Sequence, residues 1–157
     1  MRKSLFAALM AFAGLSTLTA LAALPTPQPP AAPAAAPDKH HAMYAECAKV
    51  CADCMLTCET TAHHCAELAM AGKKEHAKAM GIAADCAEFC ALSAKLTARH
   101  SDLAGTACEA CAKACDACAA ECAKFADMPE MKACVESCKK CAASCREMAK
   151  MGHHEKH

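Results

Sequence analysis

Small apolar residues and charged residues alternate along most of this chain with the period of an α-helix. From residue 41 onward, cysteine and alanine recur at steps of three and four residues, and Lys and Glu occupy many positions between them. Side chains at such steps share one helix face, and Ala, Lys and Glu are strong helix formers. The pattern predicts four helices, at about residues 41–71, 74–99, 101–125 and 127–151, and no strand.

The breaks between these helices carry familiar helix-end residues. Gly72 is predicted to take the left-handed conformation that ends the first helix, and Ser101 or Asp102 can cap the third. Asp127 and Glu130 form a capping box for the fourth helix, which tolerates a proline in its first turn. Because the loops are short, consecutive helices must run antiparallel. The sequence therefore predicts an all-α, antiparallel up-down-up-down four-helix bundle.

The predicted inward faces of the helices are built largely of cysteine, where a coiled-coil seam would have Leu or Ile. The inward positions of the first helix are Met43, Cys47, Cys51, Cys54, Cys58, Thr61, Cys65 and Leu68. Those of the second are Ile82, Cys86, Phe89, Cys90, Ser93, Leu96 and Thr97. Those of the third are Cys108, Cys111, Cys115, Cys118 and Cys122. Those of the fourth are Met131, Cys134, Cys138, Cys141, Cys145 and Met148. Thiols would thus line most of the bundle's length.

The composition limits the functions that the chain can have. It has 157 residues, a net charge of zero and 16 cysteines, so electrostatics gives no reason to expect a nucleic-acid partner. Large apolar side chains are few after residue 37, and aliphatic packing alone would not stabilise a domain of this size. We find no nucleophile–base pair, phosphate loop or pair of catalytic carboxylates, which predicts a protein that is not an enzyme.

Residues 1–22 have the pattern of a secretory signal peptide. Arg2 and Lys3 make a positive start, residues 5–18 form an apolar run, and residues 20–22 fit a small-residue cleavage site. An uncleaved membrane anchor is the alternative, because the apolar run approaches the ~20 residues that a spanning helix needs. The prediction is export, to the periplasm, with no membrane contact after cleavage.

Two further segments flank the predicted bundle, which spans residues 41–151. Residues 23–40 are rich in Pro and Ala and predict an extended linker, and residues 152–157 form a His-rich tail. The antiparallel topology brings different side chains to the two ends of the bundle. One end, here called the histidine end, collects His40, His41, Met43, His100, Met148, Met151, His153, His154 and His157. The other, the apolar end, collects Leu68, Met70, His76, Met80, Ile82, Phe125, Met128 and Met131.

Several kinds of cysteine chemistry are open to such a core. A disulfide framework is common in exported cysteine-rich proteins, but thiols three or four residues apart on one helix would be strained by a bridge, so disulfides would have to join different helices. The run at 108, 111, 115 and 118 differs in spacing from ferredoxins and lacks their proline, which weakens the case for an iron–sulfur cluster. Zinc has better support from C-x-x-C pairs, which occur at 51/54, 108/111, 115/118 and 138/141.

Charge and ligand softness favour Cu(I) over these alternatives. Four thiolates around Zn²⁺ leave two net negative charges in a dry core, whereas one Cu⁺ per thiolate leaves none, and thiolates and thioethers select Cu(I). The predicted ligands are all the cysteines named above, with Cys65 a core residue in the alternative, together with His40, Met43 and Met148. Met80, Met128 and Met131 are predicted to fill the core. Copper is expected to enter at the histidine end.

The cysteine runs resemble a known family. A-C-E-A-C-A-K-A-C-D-A-C-A-A-E-C-A-K-F, followed by K-A-C-V-E-S-C-K-K-C-A-A-S-C-R, is similar to the bacterial copper storage proteins and related Cys-rich four-helix-bundle proteins. The resemblance covers about residues 43–150 and is strongest over 107–146. It implies a bundle whose interior cysteines bind many Cu(I) ions, often in C-x-x-x-C pairs, with His and Met near the open end.

The resemblance carries further expectations about partners and location. Family members commonly assemble as homo-oligomers, and a copper chaperone or chelator is a candidate partner. Exported and cytosolic branches exist, and the leader at residues 1–22 favours the exported branch. The twin-arginine signal expected of that branch is missing, because only Arg2 precedes Lys3, so the export route stays open. The function expected from all of this is bulk Cu(I) storage or sequestration.

Overall fold

The computed structural model describes residues 39–154, with side chains up to residue 151. Four α-helices make up almost all of it: α1 (Lys39–Met70), α2 (Ala77–Ala98), α3 (Ala104–Cys122) and α4 (Pro129–His154). Within this range there is no strand, and the predicted four-helix bundle is confirmed. The predicted signal peptide, the linker up to residue 38 and the end of the His-rich tail lie outside the described residues.

Each helix packs against two others, so that the four helices surround a common core. α1 packs on α2 and α4, and α3 also packs on α2 and α4. Side-chain contacts give the direction: Cys51 of α1 meets Cys145 of α4, and fourteen residues later Cys65 meets Met131. The N-terminal part of α1 thus contacts the C-terminal part of α4, so these two helices are antiparallel.

Two helices end in the same hydrogen-bonded turn. After α1, Gly72 has φ +92°; its N–H donates to Ala69 O at 3.1 Å, and Lys73 N–H donates to Leu68 O at 3.0 Å. This pair of bonds is the Schellman motif, which Gly favours because it has no Cβ. The prediction for Gly72 is confirmed.

The same motif ends α2 without a glycine. His100 has φ 52°; its N–H donates to Thr97 O, and Ser101 N–H donates to Leu96 O, both at 3.0 Å. A left-handed residue with a Cβ costs about 1–2 kcal/mol, so His100 is held by contacts described below. The sequence did not point to this turn.

Several helix limits differ from the predicted ones. Lys74–His76 and Ala123–Phe125 form single 3₁₀ turns beside α2 and α3 rather than parts of them, because the tighter turn often replaces α-geometry where a helix meets a loop. α4 begins at Pro129, which places Met128 rather than Asp127 at the N-cap, and it continues to His154 instead of ending at residue 151.

The core is made of cysteine and alanine. The buried alanines are Ala62, Ala79, Ala83, Ala87, Ala104, Ala107, Ala112, Ala119, Ala142 and Ala149. Two predicted inward positions are wrong: Phe89 of α2 is 42% exposed and Met43 of α1 is 39% exposed. On α2 the alanines at 79, 83 and 87 occupy the buried face and leave Phe89 outside. None of the helices between residues 39 and 154 combines the length and apolarity that a membrane-spanning segment requires.

Candidate metal centre

All sixteen cysteines lie inside the bundle, each at most 1% exposed, and all are free thiols. Every helix contributes, because its cysteines repeat at the steps of three and four residues that keep them on one face. α2 contributes least, with two thiols, and carries Ser93 and Thr97 towards the histidine end. There the Thr97 hydroxyl lies 3.6 Å from Cys108 Sγ.

Pairs of thiols four residues apart lie side by side along the helices. The Sγ atoms are 3.9 Å apart in the pairs 54/58 and 118/122, and 4.0 Å apart in 111/115, 134/138 and 141/145. Contacts between helices range from 3.4 Å for Cys51 and Cys145 to 4.0 Å for Cys54 and Cys138. Each thiol therefore has sulfur neighbours on its own helix or on the next.

The thiols gather into five groups whose sulfurs all lie within 4.8 Å of one another. Three groups have four members, Cys51/Cys111/Cys141/Cys145, Cys54/Cys90/Cys115/Cys141 and Cys58/Cys86/Cys118/Cys138, and two have three members, Cys47/Cys108/Cys145 and Cys118/Cys122/Cys134. Cys141, Cys145 and Cys118 each belong to two groups. The groups are thus linked through shared or neighbouring sulfurs along the axis of the bundle.

The thiols strongly influence each other's protonation. Hydrogen bonds from neighbours, Cys115 first, lower the pKa of Cys54, whereas the pKa of Cys58 rises because its proton is held by neighbours, Cys118 first. Hydrogen bonding with Cys111 raises the pKa of Cys141, but bonds from Cys115, Cys145 and Cys51 outweigh it, so that the pKa falls to about 6. The thiols of the core therefore share their protons among sulfurs, and soft cations can replace these protons.

The histidine end is built from stacked rings. His100 stacks on Tyr44 with ring centres 4.3 Å apart, and on His41 at 4.8 Å, while His40 lies 4.9 Å from Tyr44. Tyr44 is buried and Met43 is not. The cysteines of each helix line one buried face, here called its sulfur stripe. The sequence predicts that Met43, four residues before Cys47, continues the sulfur stripe of α1. In the structure Tyr44, three residues before Cys47, continues it instead.

The remaining predicted ligands at this end differ in burial. His40 is half-buried against Tyr44, and Met148 is 1% exposed at the end of the α4 sulfur stripe. Met43 points outward, as described above. Of the three non-cysteine ligands predicted from sequence, Met148 is thus the one placed inside the core.

The apolar end holds one more sulfur pair. Cys65 lies outside the five groups, and its S–H donates to Met131 Sδ at 3.7 Å. Burial, followed by the charges of Cys134 and Cys118, raises the pKa of Cys65. His76 is buried in the 3₁₀ turn before α2, with its ring 4.3 Å from that of Phe125.

Comparisons with known proteins agree on the family. The profile of the copper storage proteins matches residues 40–150. A cytosolic copper storage protein from Streptomyces lividans, solved with five coppers, is 28% identical with a TM-score of 0.64, over 71% of this chain and 95% of that one. A Cu(I)-bound copper storage protein, BsCsp3, is 34% identical with a TM-score of 0.62, over 68% of this chain and 98% of that one.

A third solved structure, a Nitrosospira multiformis protein, is 32% identical with a TM-score of 0.62, over 70% of this chain and 97% of that one. A search of curated proteins found no significant match. The family profile spans most of the bundle, and the resemblance drawn from the cysteine runs is confirmed. The chain belongs to the copper storage protein family.

Proposed function

We propose that this chain stores Cu(I) in bulk inside its bundle, with the cysteine thiolates as ligands. The observation that carries the proposal is the arrangement of the thiols: all sixteen are buried and free, and fifteen of them, all but Cys65, belong to groups whose sulfurs lie within 4.8 Å of one another. Two relatives whose structures contain copper or Cu(I) share the fold. Storage fits such a site better than a single catalytic centre would, because the sulfurs extend along the whole core.

Each Cu⁺ replaces one thiol proton, so a core filled at about one ion per cysteine stays neutral. Neutrality matters because an uncompensated charge in a dry interior costs several kcal/mol. Neighbouring thiols such as 54/58 or 141/145 can hold an ion between them, and contacts between helices supply bridging sulfurs. Capacity should therefore approach the number of cysteines, which is 16.

Zinc is the second candidate, because three groups of four thiols have the ligand number that structural zinc prefers. Two of these groups share Cys141, so zinc could fill both only with that thiolate as a bridge. A zinc protein with this core would hold few ions and carry two net negative charges at each four-thiol site.

The test is an anaerobic titration of the reduced full chain with Cu(I) against a competing chelator. We expect saturation near one copper per cysteine. Saturation at about four ions or fewer would contradict storage and favour a zinc or iron–sulfur protein. Denatured protein without reductant should also show nearly all its thiols free; a low thiol count would support a disulfide-stapled structural protein instead.

The proposed location rests on the leader, and the proposed uptake route rests on the histidine end of the bundle. The leader at residues 1–22 supports export to the periplasm, where a chaperone or chelator would deliver copper. Uptake at the histidine end is supported by the rings of His40, His41 and His100 beside Tyr44, and by Met148 within. An enzymatic role has no supporting residues in the sequence.

A homo-oligomer is also part of the proposal. Phe89 and Leu92 expose apolar side chains on the outer face of α2, and Lys95 and Glu88 border them. Sedimentation of the full chain tests this: replacement of Phe89 by Ser should reduce the molecular mass of an oligomer held by this face. A wild-type chain that sediments as a monomer would contradict it.

A further inference from the structure

The sulfur contact at the apolar end repeats, one heptad further on, a contact between cysteines. Cys58 and Cys138 lie with their Sγ atoms 3.7 Å apart between α1 and α4. Seven residues later on α1 and seven earlier on α4 stand Cys65 and Met131, whose sulfurs are also 3.7 Å apart. Met131 therefore occupies the place where the repeat would put another cysteine.

The sulfur of Met131 faces the thiol of Cys65. Met131 and Cys65 are both fully buried, and the thioether accepts the S–H of Cys65. The side chain lies at one end of the α4 sulfur stripe, which then continues through Cys134 and Cys138. The contact therefore places a thiol and a thioether together at one fully buried position.

We propose that Cys65 Sγ and Met131 Sδ together bind one Cu(I) ion, as a mixed thiolate–thioether site at the apolar end; this rests on the storage function proposed above. Binding forms one Cu–Sγ and one Cu–Sδ bond and releases the Cys65 thiol proton to solvent, with no change of oxidation state. The thiolate balances the charge of Cu⁺, and the thioether adds none. The complex is neutral in a fully buried place, which avoids the cost of an unpaired charge.

The two sulfurs are close enough to share an ion after a small movement. With a metal–sulfur bond of ~2.3 Å, as for zinc, a linear S–Cu–S unit spans ~4.6 Å, roughly 1 Å more than the present separation. Methionine is unbranched and has three rotatable bonds, so its sulfur can shift without moving the helix. Without Met131, Cys65 would lose the sulfur that it contacts and with it the second ligand.

The experiment counts copper ions on the reduced full chain by native mass spectrometry, after anaerobic loading in the presence of a competing chelator. The variants are M131L, C65A and the double variant C65A/M131L. Leucine preserves most of the volume of methionine. M80L is the matched control, because Met80 packs against the same core as a half-buried side chain.

We expect M131L and C65A each to hold one copper fewer than wild type, and the double variant also to hold one fewer, because both residues serve the same ion. M80L should load like wild type. A full copper count in M131L would overturn the proposal, and so would a double variant that loses two ions. A wild-type chain that saturates at about four ions or fewer would instead contradict storage itself.

A second measurement does not depend on the variants folding. Crystals of the copper-loaded wild-type chain should show anomalous copper density within bonding distance of both Cys65 Sγ and Met131 Sδ. Density bound to Cys65 with Met131 turned away, or no density there in an otherwise loaded core, would overturn the proposal.

Discussion

At the residue scale, the histidine end shows how one position changes the chemistry of a helix face. Tyr44 is buried where the sulfur stripe of α1 ends, and its ring stacks on His100. This stack also explains how His100 keeps a left-handed backbone, since ring pairs contribute about 0.5–1.5 kcal/mol. Copper that entered here, as proposed above, would meet imidazoles before it met the thiols.

Met148 and Met43 give a matched test of the uptake route. Met148 is buried one turn beyond Cys145 on α4, whereas Met43 is exposed. We expect M148L to slow Cu(I) loading several-fold with little change in capacity, and M43L to load at the wild-type rate. Stopped-flow mixing with a Cu(I)–chelator complex measures both rates. Equal rates for M148L and wild type would contradict the proposed route.

At the scale of the helix, local chemistry predicted the end of α1 but not the N-caps of α3 and α4. Leu103, rather than Ser101 or Asp102, stands at the N-cap of α3, and Met128 stands before α4. Gly72 ends α1 as predicted, because a left-handed turn favours a residue without Cβ. The stripe positions from Cys47 to Cys65 and from Met131 to Met148 are also inside, since the step of three and four fixes the face.

Tyr44 could not be predicted, because near the end of a buried face a step of either three or four residues continues it, and packing against neighbours sets the final rotation. Phe89 lies in the middle of α2, where Cys86 and Cys90 continue the buried face by a step of four and leave Phe89 outside.

Gly72 and Gly81 test whether the left-handed turn after α1 requires glycine. A Cβ added at Gly72 or at Gly81 would have nothing within 4 Å, so sterics between side chains do not distinguish the two positions. Gly72 has a left-handed φ and Gly81 lies inside α2. We expect G72A to lower the free energy of unfolding by about 1 kcal/mol and G81A to raise it by about 0.5–1 kcal/mol.

Urea denaturation of the reduced, metal-free chain measures both changes. The two substitutions add the same methyl group, so each serves as the control for the other. A stabilised G72A would show that the turn after α1 does not require a left-handed residue.

A buried carboxylate links α2 to α3 near the apolar end. Glu121 accepts hydrogen bonds from Lys124 at 2.7 Å and from Lys78 of α2 at 3.2 Å. The Lys124 bond, followed by the Lys78 bond, lowers the pKa of Glu121. A carboxyl whose folded pKa lies below its unfolded value stabilises the fold above the unfolded pKa, and this contribution is lost as the pH falls through the folded pKa.

We therefore expect E121Q to be less stable than wild type at neutral pH and to approach it in strong acid. The control is E147Q, whose partner Lys150 is one turn away on an exposed face; such pairs are worth about 0–1 kcal/mol. Thermal denaturation over a pH series measures the differences. A constant gap between E121Q and wild type at every pH would show that the charge of Glu121 is not responsible.

At the scale of the whole molecule, thiols take the place that aliphatic side chains have in other bundles. The fold class and the lining of the core followed from the sequence because one period, repeated over four helices, determines both. The family followed separately, from the resemblance of the cysteine runs. The neighbours of each thiol across the bundle did not follow, since they depend on how far each helix slides and turns against the next. The contact between Cys65 and Met131 is one such result.

A core of this kind should be far more stable with copper than without. A ligand that binds only the folded chain adds about 2.7 kcal/mol per site at a hundred times its Kd, and here many sites act together. We expect the melting temperature of the loaded chain, followed by circular dichroism, to exceed that of the reduced metal-free chain by tens of degrees. An unchanged melting temperature after confirmed loading would contradict copper binding within the core.

Cys141, Cys145 and Cys118 each belong to two neighbouring thiol groups, and this sharing affects the order in which copper ions are bound and released. An ion can move inward by exchanging one sulfur ligand at a time, and ions that arrive later then occupy the groups nearer the histidine end. If ions leave through the histidine end as well, the newest copper departs first and the oldest is retained longest. Copper bound near the histidine end would then exchange readily, and copper bound deeper in the core would be released last.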